Sequence, residues 1–209
     1  MKFGKTILAA SAILLSTYLS AQDKGFGVSS LYFETRVGYE AVMPGMDFNA
    51  DASGFRGSYL NMRLDGQICE GLTYSYRQRF NKLSGRTFFD ATDWIHLDWK
   101  ATDWFTLGGG KQVVGIGGYE YDRAPIDLYY CSEFWNNIAC YQLGISGTFN
   151  VAPGDNLLLQ VCNSPMRGYI TDDSGNNVGN SKVAVNLMWY GSHGFYESIW
   201  SANAFQNST

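Results

Sequence analysis

The feature that most constrains this chain is a strict alternation of apolar and polar residues along segments of about ten residues. In one segment Leu60, Met62 and Leu64 alternate with Asn61 and Arg63. Because successive side chains of a strand point to opposite faces, each segment predicts a strand with one apolar and one polar face. About nine such strands are predicted, over residues 33–41, 59–65, 72–80, 93–100, 104–111, 138–149, 156–162, 183–189 and 195–205.

The connectors between these segments alternate between short and long. Tight joins rich in Gly, Pro, Asp or Ser are predicted around 67–71, 101–103, 151–155 and 191–194, and long ones over 43–57, 81–92, 112–137 and 163–181. Alternation alone also fits a soluble sandwich, in which the apolar face would be the core. A barrel that crosses a bilayer has tilted strands of this length, with short turns on one side and long loops on the other. The connectors therefore favour an all-β, antiparallel transmembrane β-barrel.

Residues 1–21 have the layout of a signal peptide. Lys2 and Lys5 precede an apolar run over 7–15, and a small-residue cleavage context ends at Ala21. Removing the two lysines changes the net charge from −4 to −6, because 13 basic residues then face 19 acidic ones. An exported acidic chain without a basic run argues against nucleic acid as a partner.

Motifs for catalysis or cofactor binding fail in detail. The glycine run at 115–118 is not followed by a helical pattern, so it does not predict dinucleotide binding. Asp47, Asn49 and Asp51 begin like a calcium loop, but Ala52 stands where Gly is needed. The two histidines have no nearby nucleophile pattern. We therefore expect no enzyme, no metal and no cofactor, and we expect the four cysteines, Cys69, Cys131, Cys140 and Cys162, to be unpaired.

Several stretches resemble the phosphate-selective porin O and P family. They are 56–66 (RGSYLNMRLDG), 74–81 (YSYRQRFN), 110–112, 117–118, 122–127 (DRAPID) and 132–137 (SEFWNN). The resemblance covers essentially all of the mature chain, 22–209, and implies an outer-membrane barrel of about 16–18 strands around an aqueous channel. The chain is then the N-terminal half of a porin, and a complete barrel of eight or ten strands is the alternative.

Seven basic residues are candidates for lining the pore and binding anions. Five alternate onto predicted inner faces, and two border or lie in the third connector, 112–137; the seven are Arg36, Arg63, Arg77, Arg79, Lys100, Lys111 and Arg123. The resemblance implies that this connector folds into the channel, while an external hairpin is the plainer alternative. Acidic residues share the same faces, so the strand arginines could instead pair with them as structural wall charges.

The sequence thus predicts an outer-membrane porin for passive diffusion of small hydrophilic solutes, with a bias toward anions or phosphate. The alternative is a plugged binding or adhesion barrel that acts through its external loops. Expected partners are outer-membrane lipid and small hydrophilic or anionic solutes, with a homotrimer as an open option for assembly.

Overall fold

The structure of the protein is a computed structural model, and it describes residues 27–43, 47, 49–82, 87–123, 127–128, 130–166, 169–171, 173 and 177–207. The signal peptide predicted for 1–21 lies outside these residues. Among the described helices, none has the length and apolar character that a membrane crossing requires.

Eleven β-strands are described, and nine of them form one antiparallel sheet. The strands are β1 (Gly27–Val42), β2 (Asn49–Cys69), β3 (Leu72–Arg79), β4 (Thr92–Lys100), β5 (Phe105–Val113), β6 (Tyr141–Ala152), β7 (Asp155–Asn163), β8 (Tyr169–Thr171), β9 (Asn177–Asn180), β10 (Val183–His193) and β11 (Tyr196–Phe205). The sheet order is β1-β2-β3-β4-β5-β6-β7-β10-β11, and β8 pairs with β9 in a separate ribbon. The nine predicted strands are confirmed. The ribbon was missed because strands of three and four residues are too short to show an alternation.

Short turns join alternate strand pairs, as the sequence predicts. Glu70–Gly71, Pro153–Gly154 and Gly194–Phe195 connect β2 to β3, β6 to β7 and β10 to β11. Gly71, Gly154 and Gly194 have φ of 76°, 86° and 71°, a left-handed conformation that favours glycine. The longer connectors all leave the opposite ends of the strands.

The predicted long connector 43–57 is wrong, because β2 begins at Asn49 and extends the first hairpin. The Tyr39 and Phe55 rings contact at 5.3 Å, and Arg56 Nε lies 2.5 Å from a Glu40 carboxylate oxygen. These cross-strand contacts stabilise a segment whose small and polar residues hide the alternation in the sequence.

Apolar and polar side chains lie on opposite faces of the sheet. On the outer face Ile145 is 61% exposed and Leu60 46% exposed, whereas on the inner face Arg77 and Gln160 are each 1% exposed. Leu143 is also exposed on the outer face, and Arg79 and Gln142 are buried on the inner one. The predicted face assignment is confirmed, and the sandwich alternative, which needs the apolar face inside, is wrong.

The sheet is not closed. No ladder of hydrogen bonds joins β1 to β11 among the described residues. Each of the nine strands is antiparallel to the next, so β1 and β11 run in the same direction. These two edge strands therefore cannot pair antiparallel with each other.

Candidate functional site

The connector between β5 and β6, residues 114–140, lies against the inner face of the sheet. Val114 and Ile116 are buried in a cluster with Cys162 of β7 and Ala184 of β10. Farther along, the Leu128 carbonyl accepts hydrogen bonds from the Arg36 guanidinium of β1 at 3.0 Å. The connector thus contacts strands near both edges of the sheet.

Two helical turns give this connector a packed structure of its own. They are α1 (Tyr119–Asp122) and α2 (Glu133–Asn137), and the hydroxyl oxygen of Ser132 accepts a hydrogen bond from Trp135 N at the start of α2. That hydroxyl also donates to Glu120 at 2.6 Å, and the Tyr121 ring lies 4.7 Å from Trp135. Burial raises the pKa of the Tyr121 hydroxyl. The glycine run at 115–118 is followed directly by α1, a helix of a single turn.

Two cavities lie on either side of the connector. The larger has a volume of about 1330 Å³ and extends toward the long loops, with Tyr39 and Asn180 in its lining. The smaller, of about 260 Å³, extends toward the short turns, with Asp98 and Thr148 in its lining. The larger cavity carries charges of both signs, while the described residues that line the smaller one include no Lys or Arg.

A cluster of charges on the inner face joins β1, β3 and β4; we call it the charged patch (Glu34, Arg77, Arg79 and Asp93), and all of its members but the half-buried Glu34 are buried. An Arg77 nitrogen lies 2.9 Å from Glu34, Arg77 Nε lies 3.4 Å from Asp93, and an Arg79 nitrogen lies 2.8 Å from Asp93. Asn61 of β2 also donates to Glu34 at 3.2 Å. These contacts are the ones that the wall-pair alternative describes.

Arg63 lies beside the charged patch and is paired in the same way. Its Nε is 2.8 Å from Asp65, whose carboxylate also accepts from the Ser75 hydroxyl at 2.6 Å. Trp94 stacks under two guanidinium groups, 4.9 Å from Arg77 and 5.6 Å from Arg63. Trp94 thus joins the two arginines into one packed unit.

The other four candidates do not join this group. Lys100 pairs with Asp103 at 2.7 Å in the short turn after β4, and this ion pair lowers the pKa of the Asp103 carboxyl. The Lys111 amino group donates to the Phe89 carbonyl at 2.9 Å, and Arg123 is exposed at the end of α1. Arg36 contacts the connector, as described above. The seven residues therefore do not form a single line of basic groups.

Uncharged side chains form a second inner cluster that the sequence reasoning did not identify. Ser146, Gln160, Asn186 and Asn203 lie directly opposite one another on the consecutive strands β6, β7, β10 and β11, and we call them the polar row. Gln112 of β5 joins the row by accepting from the Ser146 hydroxyl at 2.8 Å. Each residue occupies an inner position of its strand, but the row is visible only once the turns fix the register.

The described residues contain no group of three or more His, Cys, Asp or Glu side chains that could hold a metal ion. The four cysteines form no disulfide with one another, and Cys69 is exposed while Cys162 is buried.

Comparison with known proteins gives one family. The family model described as phosphate-selective porin O and P matches residues 30–193, which is most of the chain. Neither the curated proteins nor the solved structures include a match to the chain.

Proposed function

The chain belongs to the phosphate-selective porin O and P family, a family of outer-membrane porins, and from this premise we propose that it forms part of the wall of a water-filled channel for passive diffusion of small hydrophilic solutes. Membership of this family implies a channel rather than an enzyme. The family match gives no support to the alternative of a plugged binding or adhesion barrel.

The observation that carries the proposal is the contrast between the two faces of the sheet. Its outer face exposes bulky apolar side chains such as Ile95 and Ile145, which lipid would cover, and its inner face borders a cavity of about 1330 Å³. Transmembrane barrels present an apolar band to lipid and a polar lumen to water.

A closed channel needs more strands than the nine in this sheet. Unpaired backbone groups at a sheet edge are costly in lipid, so β1 and β11 both require partners. Because these two strands run in the same direction, antiparallel closure requires an odd number of further strands. We propose that such strands complete the barrel after export to the outer membrane by the signal peptide.

The bias toward phosphate rests on a subset of the seven candidates. Arg36, Arg79 and Lys111 line the larger cavity, where a permeating anion would meet them. Arg63 and Arg77 are paired with carboxylates, and Lys100 is paired at a short turn. Arg79 shares Asp93 with Arg77, so we assign it, with Arg63, Arg77 and Lys100, a structural role. We assign the anion preference to Arg36 and Lys111, which line the cavity.

The test is electrical measurement on the full-length porin in planar lipid bilayers. We expect stepwise conductance, and a reversal potential in a potassium chloride gradient that indicates preference for chloride over potassium. Arg36→Gln should reduce this preference, since a low-dielectric wall focuses the field of fixed charges into the pore. Lys100→Gln, at the short-turn end of β4, is the matched control and should leave this preference unchanged.

Absence of conductance steps from the folded porin would overturn the channel. An equal reversal potential in the porin and Arg36→Gln would overturn the role of Arg36 in selectivity while leaving the channel intact.

A further inference from the structure

We infer that the polar row is a clasp that positions residues 113–117, the end of β5 and the start of the connector, and thereby sets the narrowest cross-section of the channel. This inference rests on the proposed function, because a cross-section matters only in a conducting pore.

The polar row binds the backbone of the connector, and not its side chains. Gln160 accepts a hydrogen bond from Gly115 N at 2.8 Å and donates one to the Val113 carbonyl at 2.9 Å. Asn203 donates to the Gly115 carbonyl at 2.7 Å. An amide side chain can do this because it both donates and accepts, whereas a guanidinium only donates.

The members of the polar row also bond to one another. Asn186 donates to Gln160 at 2.9 Å, and Asn203 donates to the Asn186 oxygen at 2.8 Å. Gln160 is 1% exposed and Asn186 is fully buried. A polar network that is buried at its centre and whose members all have partners is rigid, because a central member that moves must leave a partner unsatisfied.

Two glycines allow the connector to approach the wall closely. The Gly117 amide donates to the Ser201 hydroxyl at 2.7 Å, and a Cβ at this position would lie 2.7 Å from the Ser201 backbone nitrogen. At Gly115 a Cβ would lie 3.3 Å from Asn186 Cβ. The glycine run 115–118, which fails as a nucleotide motif, thus has a packing role against β10 and β11.

The clasped residues and the later part of the connector line different cavities. Val114, Gly115 and Ile116 line the smaller cavity, while the later residues Leu128 and Trp135 of the same connector line the larger one. A change in the position of residues 113–117 would therefore change the passage between the cavities.

Single-channel conductance of the full-length porin in planar bilayers tests the inference. Gly117→Ala should push the connector away from β11 toward the lumen while retaining every side chain of the polar row, and we expect conductance to fall by about twofold because the constriction governs passage. Gly109→Ala is the matched control, since a Cβ there meets nothing within 4 Å, and it should conduct like the porin itself.

A second variant acts on the clasp from the opposite side. Asn203→Ala removes the bonds to the Gly115 carbonyl and to Asn186 at an exposed position, where we expect folding to stay intact even if Gly117→Ala does not fold. We expect the same fall in conductance, because a connector released from the wall moves into the lumen, together with larger fluctuations of the open current. Asn156→Ala, on the same inner face of β7 but nearer the short turn, is its control.

A conducting porin with unchanged conductance in Asn203→Ala, and in Gly117→Ala where it folds, would overturn the clasp and leave the channel standing. A folded porin that never conducts would overturn the proposed function instead.

Discussion

The charged patch and the polar row occupy the same inner face of one sheet, yet they are built from different chemistry. The charged patch joins β1, β3 and β4 through carboxylates and guanidinium groups, with Asp93 shared between Arg77 and Arg79. The polar row joins β6, β7, β10 and β11 through hydroxyl and amide groups that carry no charge. The first group holds strands to one another, and the second also holds the connector.

The two kinds of contact differ in what it costs to break them. Removing one partner of a buried ion pair leaves an uncompensated charge, which costs about 3–5 kcal/mol. Removing a neutral hydrogen-bonding partner leaves an unsatisfied buried group, which costs about 1–3 kcal/mol. The wall of β1–β4 should therefore tolerate substitution less well than the clasp.

The largest effect is expected in the charged patch. Asp93→Asn removes the carboxylate that both Arg77 and Arg79 contact, and it should lower the free energy of unfolding by about 3–5 kcal/mol because two buried guanidinium groups lose their shared partner. Urea unfolding of the full-length porin in lipid vesicles, followed by tryptophan fluorescence, measures this change.

Asp103→Asn is the control for that experiment. Its carboxylate pairs with Lys100 in an exposed turn, so water replaces the lost contact and stability should not change. Equal losses in Asp93→Asn and Asp103→Asn would show that the charged patch does not stabilise the wall.

On the outer face, substitutions behind the two regions should lower stability by similar amounts. Ile95 lies behind the charged patch and Ile145 behind the polar row, and both are exposed on the apolar side. Arginine at either position would place a charge in lipid, at a cost of about 2–4 kcal/mol near the bilayer midplane. The same urea measurement should show similar decreases in the free energy of unfolding for Ile95→Arg and Ile145→Arg.

Thr148→Arg is the control for the outer face, since this residue lines the smaller cavity. It should be tolerated better than Ile145→Arg on the same strand. A larger loss for Thr148→Arg would mean that the faces are assigned the wrong way round.

A smaller loss is expected in the polar row. Asn186→Ala leaves Gln160 and Asn203 each without one partner, and it should lower the free energy of unfolding by about 1–3 kcal/mol. Urea unfolding measures this decrease, and Asn156→Ala is the control, which should change the free energy of unfolding little. A loss in Asn186→Ala as large as in Asp93→Asn would contradict the proposed difference between the two regions.

The sequence predicted the sheet well and its inner contacts only in part. Alternation assigned Leu143 and Gln142 to opposite faces, because a two-residue period leaves no other choice once one face is apolar. It could not show that Arg77 and Asp93 meet, since that contact depends on register and on an irregularity in the pairing of Arg77 and Gln78 with β4. The polar row was missed for the same reason: its members align only across three separate ladders.

The smallest effect is expected at Cys140, which lies between the buried cluster of the connector and the charged patch. Its thiol packs against the buried cluster of the connector, and burial raises its pKa from 9.0 to about 11, with Arg79 and Asp93 of the charged patch exerting opposing smaller influences. Because the thiolate is the reactive form, iodoacetamide at about pH 8 should modify Cys140 at least about tenfold more slowly than the exposed Cys69.

The raised pKa also sets the direction of a pH effect on stability. The folded state favours the protonated thiol, so this contribution is present below the ordinary pKa of 9.0 and is lost as pH rises toward about 11. Unfolding free energy should therefore fall less between these values in Cys140→Ala than in the unsubstituted porin.

Releasing the connector with Asn203→Ala should expose the Cys140 thiol and speed its alkylation, whereas Asn156→Ala should not. If Cys140 reacts as fast as Cys69 in the unsubstituted porin, its thiol does not pack against the buried cluster of the connector.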